Sequence, residues 1–224
     1  MSIGESGFAI TSRVFDPYEL SPIRSCLEQK AFAQGSKAGS RHLLQLPEVR
    51  AIVSDRRLIE WATEILGAEA IPFGATLFNK LAKTNWLVTW HQDRALPVRR
   101  RVNAIGWGPW SSKDGVLYAN APACVLQGIV ALRVHIDDST SASGPLRVLP
   151  GTHRGGVLST EAIECASHQI NAVECLAPAG GVVAMRPLLL HASSKSTAQC
   201  QRRVLHIQYT ARIEVAPDLE LEVV

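Results

Sequence analysis

Apolar positions return every three or four residues in the first third of the chain, and every two residues or in short unbroken runs beyond Gly67. The first spacing keeps one face of a helix and the second one face of a strand. Asp16-Pro17-Tyr18-Glu19 has an N-cap acid, a proline at the first helical position and a glutamate three residues after the cap. That combination announces a helix, whose face is roughly kept by Leu20, Ile23, Leu27 and Phe32 and which Gly35 ends. Pro47 to Leu66 predicts one or two further helices, with Val49, Ile52, Val53, Leu58, Ile59, Ala62, Ile65 and Leu66 at helical spacing and Gly67 as the stop.

The strand-like runs are Ile71 to Asn79, Trp86 to His91, Val125 to Ile136, Val173 to Met185 with a Gly180-Gly181 turn inside it, and Val204 to Ile213. Each is rich in β-branched or aromatic residues. Ser143 to His153 reads as a turn and a short strand, and a polar connection rich in Ser and Glu follows it. Residues 94–123 are too irregular for a single element and read as a long loop lying over a site. The fold class is therefore mostly β with flanking helices, in one domain spanning 1–224. A helical part, 1–67, packs on the major sheet of a cupin-like double-stranded β-helix, or jelly roll, over 68–215, with 94–123 as its lid.

Composition narrows the partners. A chain of 224 residues, 46% hydrophobic and 19% charged, suits one folded domain, and 23 Lys and Arg against 20 Asp and Glu give only +3. That charge is too small to point to nucleic acid. Cys26, Cys124, Cys165, Cys175 and Cys200 contain no CxxC pair, so they suit thiols in a reducing cytosol better than a disulfide framework or a zinc knuckle. No apolar run reaches the roughly 18 to 20 residues of a membrane span, and the first ten residues lack a secretory pattern. The expectation is a cytoplasmic protein without membrane or nucleic-acid partners, its oligomeric state unknown.

Trp90-His91-Gln92-Asp93 closes one of the strand runs. Side chains two apart in a strand share a face, so His91 and Asp93 leave it together. An imidazole and a carboxylate are two of the three ligands of the 2-His-1-carboxylate site of non-heme Fe(II) enzymes, though the pair alone is also a common structural or surface feature. His191, directly after the apolar run Leu188-Leu189-Leu190, offers the second imidazole and reads equally as a hydrogen-bonded core histidine. Arg202 opens the apolar run at 204–213, eleven residues later. Its planar fork suits the far carboxylate of a 2-oxo diacid, and Arg203 should then point to the opposite face.

His91-Gln92-Asp93, the segment Gly144 to His153, Pro187-Leu-Leu-Leu-His191-Ala-Ser193 and Arg202 at its spacing together resemble the phytanoyl-CoA dioxygenase family of Fe(II)/2-oxoglutarate-dependent oxygenases, from roughly Arg41 to Tyr209. The resemblance implies that His91, Asp93 and His191 bind the iron and form the catalytic centre. It implies that Arg202 and Ser193 contact 2-oxoglutarate, with Arg133 where relatives often have tryptophan and Arg41 as a further basic contact. The implied reaction uses O2 to convert 2-oxoglutarate to succinate and CO2 while a small-molecule metabolite is hydroxylated or undergoes related C–H oxidation. Arg94, Trp107 and Trp110 are the candidates for enclosing that substrate. The arginines of their segment suit an anionic one, and a solvated loop face explains them as well. Related halogenases have a small residue where this chain has Asp93, which favours oxygenation. A cupin-like metalloenzyme without 2-oxoglutarate and a non-catalytic binding member of the fold are the two rival readings.

Overall fold

The computed structural model describes residues 3–34, 39–80 and 85–224. The chain opens with the short helix α1 (Ile3–Ser6) and strand β1 (Phe8–Arg13), then α2 (Ser21–Gln34), β2 (Gly39–Ser40), α3 (Pro47–Val53) and α4 (Arg56–Leu66). Strands β3 (Ile71–Lys80), β4 (Val88–His91), β5 (Ala95–Pro97), β6 (Trp110–Lys113) and β7 (Val116–Asn120) follow, with α5 (Ala123–Leu126) and β8 (Ile129–His135) after them. The remainder holds β9 (Leu146–Val148), α6 (Thr160–Gln169), β10 (Val173–Cys175), β11 (Gly181–Met185), β12 (His191–Ser193) and β13 (Arg202–Thr210). A hairpin of β14 (Glu214–Ala216) and β15 (Leu219–Glu220) comes last.

A six-stranded sheet ordered β1-β11-β8-β13-β3-β2 packs against a four-stranded sheet ordered β10-β9-β12-β4. The pairings are antiparallel, giving the jelly roll expected from the sequence. Period-two alternation sorts the side chains of the major sheet. Val130, Leu132, Val134 and Ile136 of the β8 strand and its end, with Leu205, Ile207 and Tyr209 of β13, meet Ile23, Val49, Ile52, Leu58 and Ala62 from the helices and Leu20 from the turn before α2. The alternate positions, Ala131, Arg133 and His135 on β8 and Arg202 and His206 on β13, therefore face the minor sheet. Ala131, Val183 and Met185 close on Leu146, Val148 and Leu189 there, while the polar positions are left to line an interior site.

Several elements differ from expectation, each for a local reason. The capping box at Asp16 forms, with Glu19 accepting from the Asp16 amide at 2.8 Å and Asp16 accepting from the Tyr18 and Glu19 amides. It caps a turn, and the helix proper starts only at Ser21; Gly35 lies outside the described residues. Asp55 accepts from the Arg57 amide at 2.9 Å and so starts α4 as a helix separate from α3, and Gly67 closes it in the left-handed region. β1 was not legible because it is an edge strand with little buried apolar area. The segment 94–123 is not one long loop. It folds as a small antiparallel sheet, β5-β7-β6, turned at Asp114-Gly115 with φ 49° and 83° and followed by α5. The polar connection contains α6. Beyond residue 215 the chain also packs on the barrel, where Val224 exchanges backbone bonds with Phe73 and Ala75. Among the described residues, no helix is long and apolar enough to cross a membrane.

Gly180 ties β1 to the sheet. Its carbonyl accepts from the amides of Val14 and Phe15, at φ +84°, and a Cβ there would lie 1.8 Å from the Phe15 carbonyl oxygen. Gly180→Ala is expected to cost at least about 2 kcal/mol through strain and backbone displacement. Urea unfolding monitored by circular dichroism checks it; an unchanged midpoint would contradict this role.

Candidate metal centre

In the minor sheet β12 lies between β9 and β4, with His191 opposite both Val148 and His91. Paired residues of antiparallel neighbours project to the same side, so both imidazoles leave the sheet together, ring centroids 4.1 Å apart. Each ring is oriented by its own backbone: His91 Nδ1 lies 2.8 Å from the Thr89 carbonyl and His191 Nδ1 2.9 Å from the Leu189 carbonyl. Donation there leaves each Nε2 as a lone pair, the state a metal requires. His91 Nε2 is 3.7 Å from one Asp93 oxygen and His191 Nε2 is 3.5 Å from the other. One ligand atom from each of the three lies within 4.8 Å of the others, a spacing that suits donors about 2.1 Å from one shared ion.

Gln92, the residue between the two β4-side ligands, turns the opposite way and is buried. Its Nε2 donates to the carbonyls of Gly156 (2.8 Å) and Leu188 (2.7 Å), and its Oε1 accepts from the Leu158 amide (2.9 Å). The Asp93 amide donates to the Pro187 carbonyl at 2.9 Å. The end of β4 is thereby fixed to the turn that delivers His191.

Electrostatics hold the ligands in binding form. Burial pushes the His191 imidazole down to about 4, so it is neutral at physiological pH. Burial opposes ionisation of Asp93, but the fields of His191, His206, His91 and Arg133 outweigh it and keep this carboxyl below the usual range.

The three ligands line a cavity of about 70 Å³ walled by Phe78, Trp86, Val88 and Leu146, with Lys80, Arg133, Ser193 and Arg202 as its other polar groups. Arg202 is buried and pairs across the ladder with Lys80. Its Nε donates to the Ser143 carbonyl at 3.1 Å, while its Nη1 has no partner among the described residues. A buried charged donor without an acceptor is costly and uncommon, and here it borders an open cavity. Lys80 Nζ donates to Ser193 Oγ at 2.6 Å and to the Ser194 carbonyl, and Ser193 Oγ donates to the Gly144 carbonyl at 3.0 Å. Arg203 points to the other face, where Asp137 and Glu28 pair with it.

The remaining sequence candidates are dispersed. Arg133 lines the cavity. Arg41 is half exposed and faces Asp114 at 3.7 Å, outside the cavity lining. Trp107 and Trp110 pack on a second apolar cluster around Leu96, Leu126 and Leu219, and the Arg101 guanidinium sits over the Trp110 ring at 5.6 Å. Arg94 is half-buried and also outside the lining. Arg99 and Arg100 pair with Glu220 and Asp218 rather than reaching the site. Sequence reasoning missed Lys80, Phe78, Trp86 and His206. The one available signal was a lysine ending an otherwise apolar strand run in phase with Phe78.

A family model described as phytanoyl-CoA dioxygenase (PhyH) matches residues 5–204. The chain is 25% identical over 178 residues to L-proline trans-4-hydroxylase from Streptomyces griseoviridis, which covers 68% of this chain and 59% of that protein. It thus spans about three-fifths of that relative's length. Among solved structures it is similar to AviO1 from Streptomyces viridochromogenes Tue57, with TM-score 0.69, 20% identity and coverage of 96% and 94% of the two chains. It is also similar to EctD from S. alaskensis with bound Fe, with TM-score 0.70, 17% identity and coverage of 93% and 74%.

Proposed function

This chain belongs to the phytanoyl-CoA dioxygenase family, and from that premise we propose that it is a non-heme Fe(II)- and 2-oxoglutarate-dependent oxygenase acting on a small-molecule metabolite. One observation carries the reading: two imidazoles and a carboxylate converge at one part of a cavity that also holds a donor of Arg202 unpaired among the described residues. A dianionic cosubstrate that chelates a metal through one end and needs a cation at the other fits both halves. His91, Asp93 and His191 would hold the iron, and Arg202, Ser193 and Lys80 the far carboxylate of 2-oxoglutarate. When bound, iron and 2-oxoglutarate supply the oxidising chemistry, in which O2 yields succinate and CO2 while one substrate C–H bond is oxidised. The protein orients both molecules, and Phe78, Trp86, Val88 and Leu146 supply the apolar part of the cavity wall. The carboxylate at Asp93 favours oxygenation over halogenation. Arg202 argues against a cupin-like enzyme without 2-oxoglutarate, and the complete triad against a purely binding role.

The relative named for L-proline makes that amino acid the first substrate to try. Oxygen-dependent succinate formation, measured with Fe(II) and 2-oxoglutarate across L-proline and a metabolite panel, should rise with the true substrate. Absence of any succinate, coupled or uncoupled, from iron-loaded protein would refute the reading. We also assign the protein to the cytoplasm, in keeping with the thiols of Cys124, Cys165, Cys175 and Cys200 outside any disulfide.

Lys80 makes the cosubstrate step sensitive to pH. Burial, reinforced by Arg202, Arg133 and Arg147, lowers it to about 8. Its ammonium dominates below that pH and is lost above it, so binding of a carboxylate beside it takes up a proton on the alkaline side. Affinity for 2-oxoglutarate should therefore be greatest below about pH 8 and weaken steadily towards about pH 10. Calorimetry at constant ionic strength measures this, and the weakening should vanish in Lys80→Met.

A further inference from the structure

Arg133 is 6% exposed, and its side chain is only partly used. Its Nη1 lies 3.1 Å from His206 Nδ1, its guanidinium stands 5.1 Å over the Phe78 ring, and its Nε is buried without a partner among the described residues. An arginine stays charged in a protein interior, so this donor calls for an anion.

The register separates Arg133 from the proposed cosubstrate anchor. Arg133 pairs with His206 and Lys80 with Arg202, four residues apart along β13, an offset of about 13 Å at strand rise. Lys80 reaches Ser193 at the far end of β12 from His191, whereas Arg133 and His206 belong to the group whose fields act on Asp93. The backbone of Arg133 thus lies four strand positions from the Arg202 pair, and its long side chain places its charge between the two ends, where its field acts on Asp93 and also on Lys80 and Arg202.

Charge points the same way. Among the described residues lining the cavity, Lys80, Arg133 and Arg202 are cationic and Asp93 is the one carboxylate. A divalent iron and a dianionic cosubstrate cancel each other, so two positive charges stay unanswered when both are bound. We propose that Arg133, oriented by His206, is the anchor for a carboxylate of the primary substrate, which makes that substrate a small carboxylic acid. The inference rests on the function proposed above. It moves the anion-reading role from the arginines of 94–123, of which Arg99 and Arg100 pair with Glu220 and Asp218, to one inside the barrel.

The test uses the full chain with Zn(II) in place of iron and 2-oxoglutarate at saturation, screened by ligand-observed NMR against amino acids and short carboxylic acids, each beside its neutral amide. Acids should bind and amides should not. Arg133→Gln should weaken acid binding more than about 10-fold, as expected for loss of a charge-assisted hydrogen bond. In the same variant 2-oxoglutarate affinity should change less than about threefold, as for an independent site. Equal binding of acids and amides, or acid binding unaffected by the substitution, overturns the proposal. So does a loss of 2-oxoglutarate affinity in Arg133→Gln as large as that in Arg202→Gln, which would return Arg133 to the cosubstrate. Should Arg133→Gln not fold, a crystal structure of the wild-type zinc and 2-oxoglutarate complex decides instead. A 2-oxoglutarate oxygen on Arg133 Nε overturns the proposal, and an Nε facing unfilled cavity or a soaked carboxylate supports it. Failure of the zinc-loaded wild type to bind 2-oxoglutarate at all would count against the oxygenase reading itself, separately from the Arg133 assignment.

Discussion

His191→Ala and Asp93→Ala should each lose stoichiometric iron and all oxygen-dependent succinate formation while the domain stays folded. The three ligand atoms lie within one small sphere, and each imidazole has its tautomer set by a backbone carbonyl. Removing an outer hydrogen-bond partner of a metal ligand typically costs about 10- to 100-fold in affinity or activity, so removing a ligand outright should exceed about 100-fold. Asp93→Ala is the more discriminating variant. It takes away the carboxylate at the end of β4 while leaving the Asp93 amide bond to Pro187 and the Gln92 clamp in place. Metal content after dialysis and circular dichroism of the same samples separate loss of metal from loss of fold. Retained succinate production by either variant would remove these residues from the centre.

Arg202→Gln should weaken 2-oxoglutarate binding by more than about 100-fold, since it removes a charge-assisted anchor that is itself buried. Arg202→Lys should recover only part of this, because an ammonium lacks the planar fork. The same substitution should leave the thermal stability of the metal-free protein nearly unchanged. In that state Arg202 carries, among the described residues, an unpaired buried donor and a single hydrogen bond, to Ser143, so its charge contributes little to folding. Calorimetric titration of the metal-loaded variants and a melting curve without metal test the two halves. A large stability loss without any loss of cosubstrate affinity would make Arg202 a structural residue.

Much of this site was legible in the sequence because it depends on strand periodicity. His191 ends an apolar run, and Arg202 and Arg203 point apart on one strand as two-residue alternation requires, while His91 and Asp93 converge although Asp93 lies two residues past the end of β4. The helices at 47–66 were equally plain, since their apolar spacing and the Gly67 stop are local signals. Periodicity says which residues share a face but not which strand lies across from them. Lys80 reaches Ser193 over 113 residues of sequence, and His206 reaches Arg133 over 73; nothing local announces either meeting. The segment 94–123 misled for a different reason. Its strands are three to five residues long and broken by glycine and proline, so their alternation has no length to declare itself. Its tryptophans settle on the apolar cluster of the C-terminal hairpin, and two of its arginines on that hairpin's acids.

Equilibrium dialysis of 2-oxoglutarate against the anaerobic protein, with and without Fe(II), tests the central claim most directly. The triad and Arg202 line one cavity, and the proposed function has a single cosubstrate molecule engage both. About one 2-oxoglutarate per chain is predicted to bind tightly with the metal present and far more weakly without it, since chelation supplies a large share of the affinity. Binding that ignores the metal, or no binding when iron is at saturation, would contradict the account.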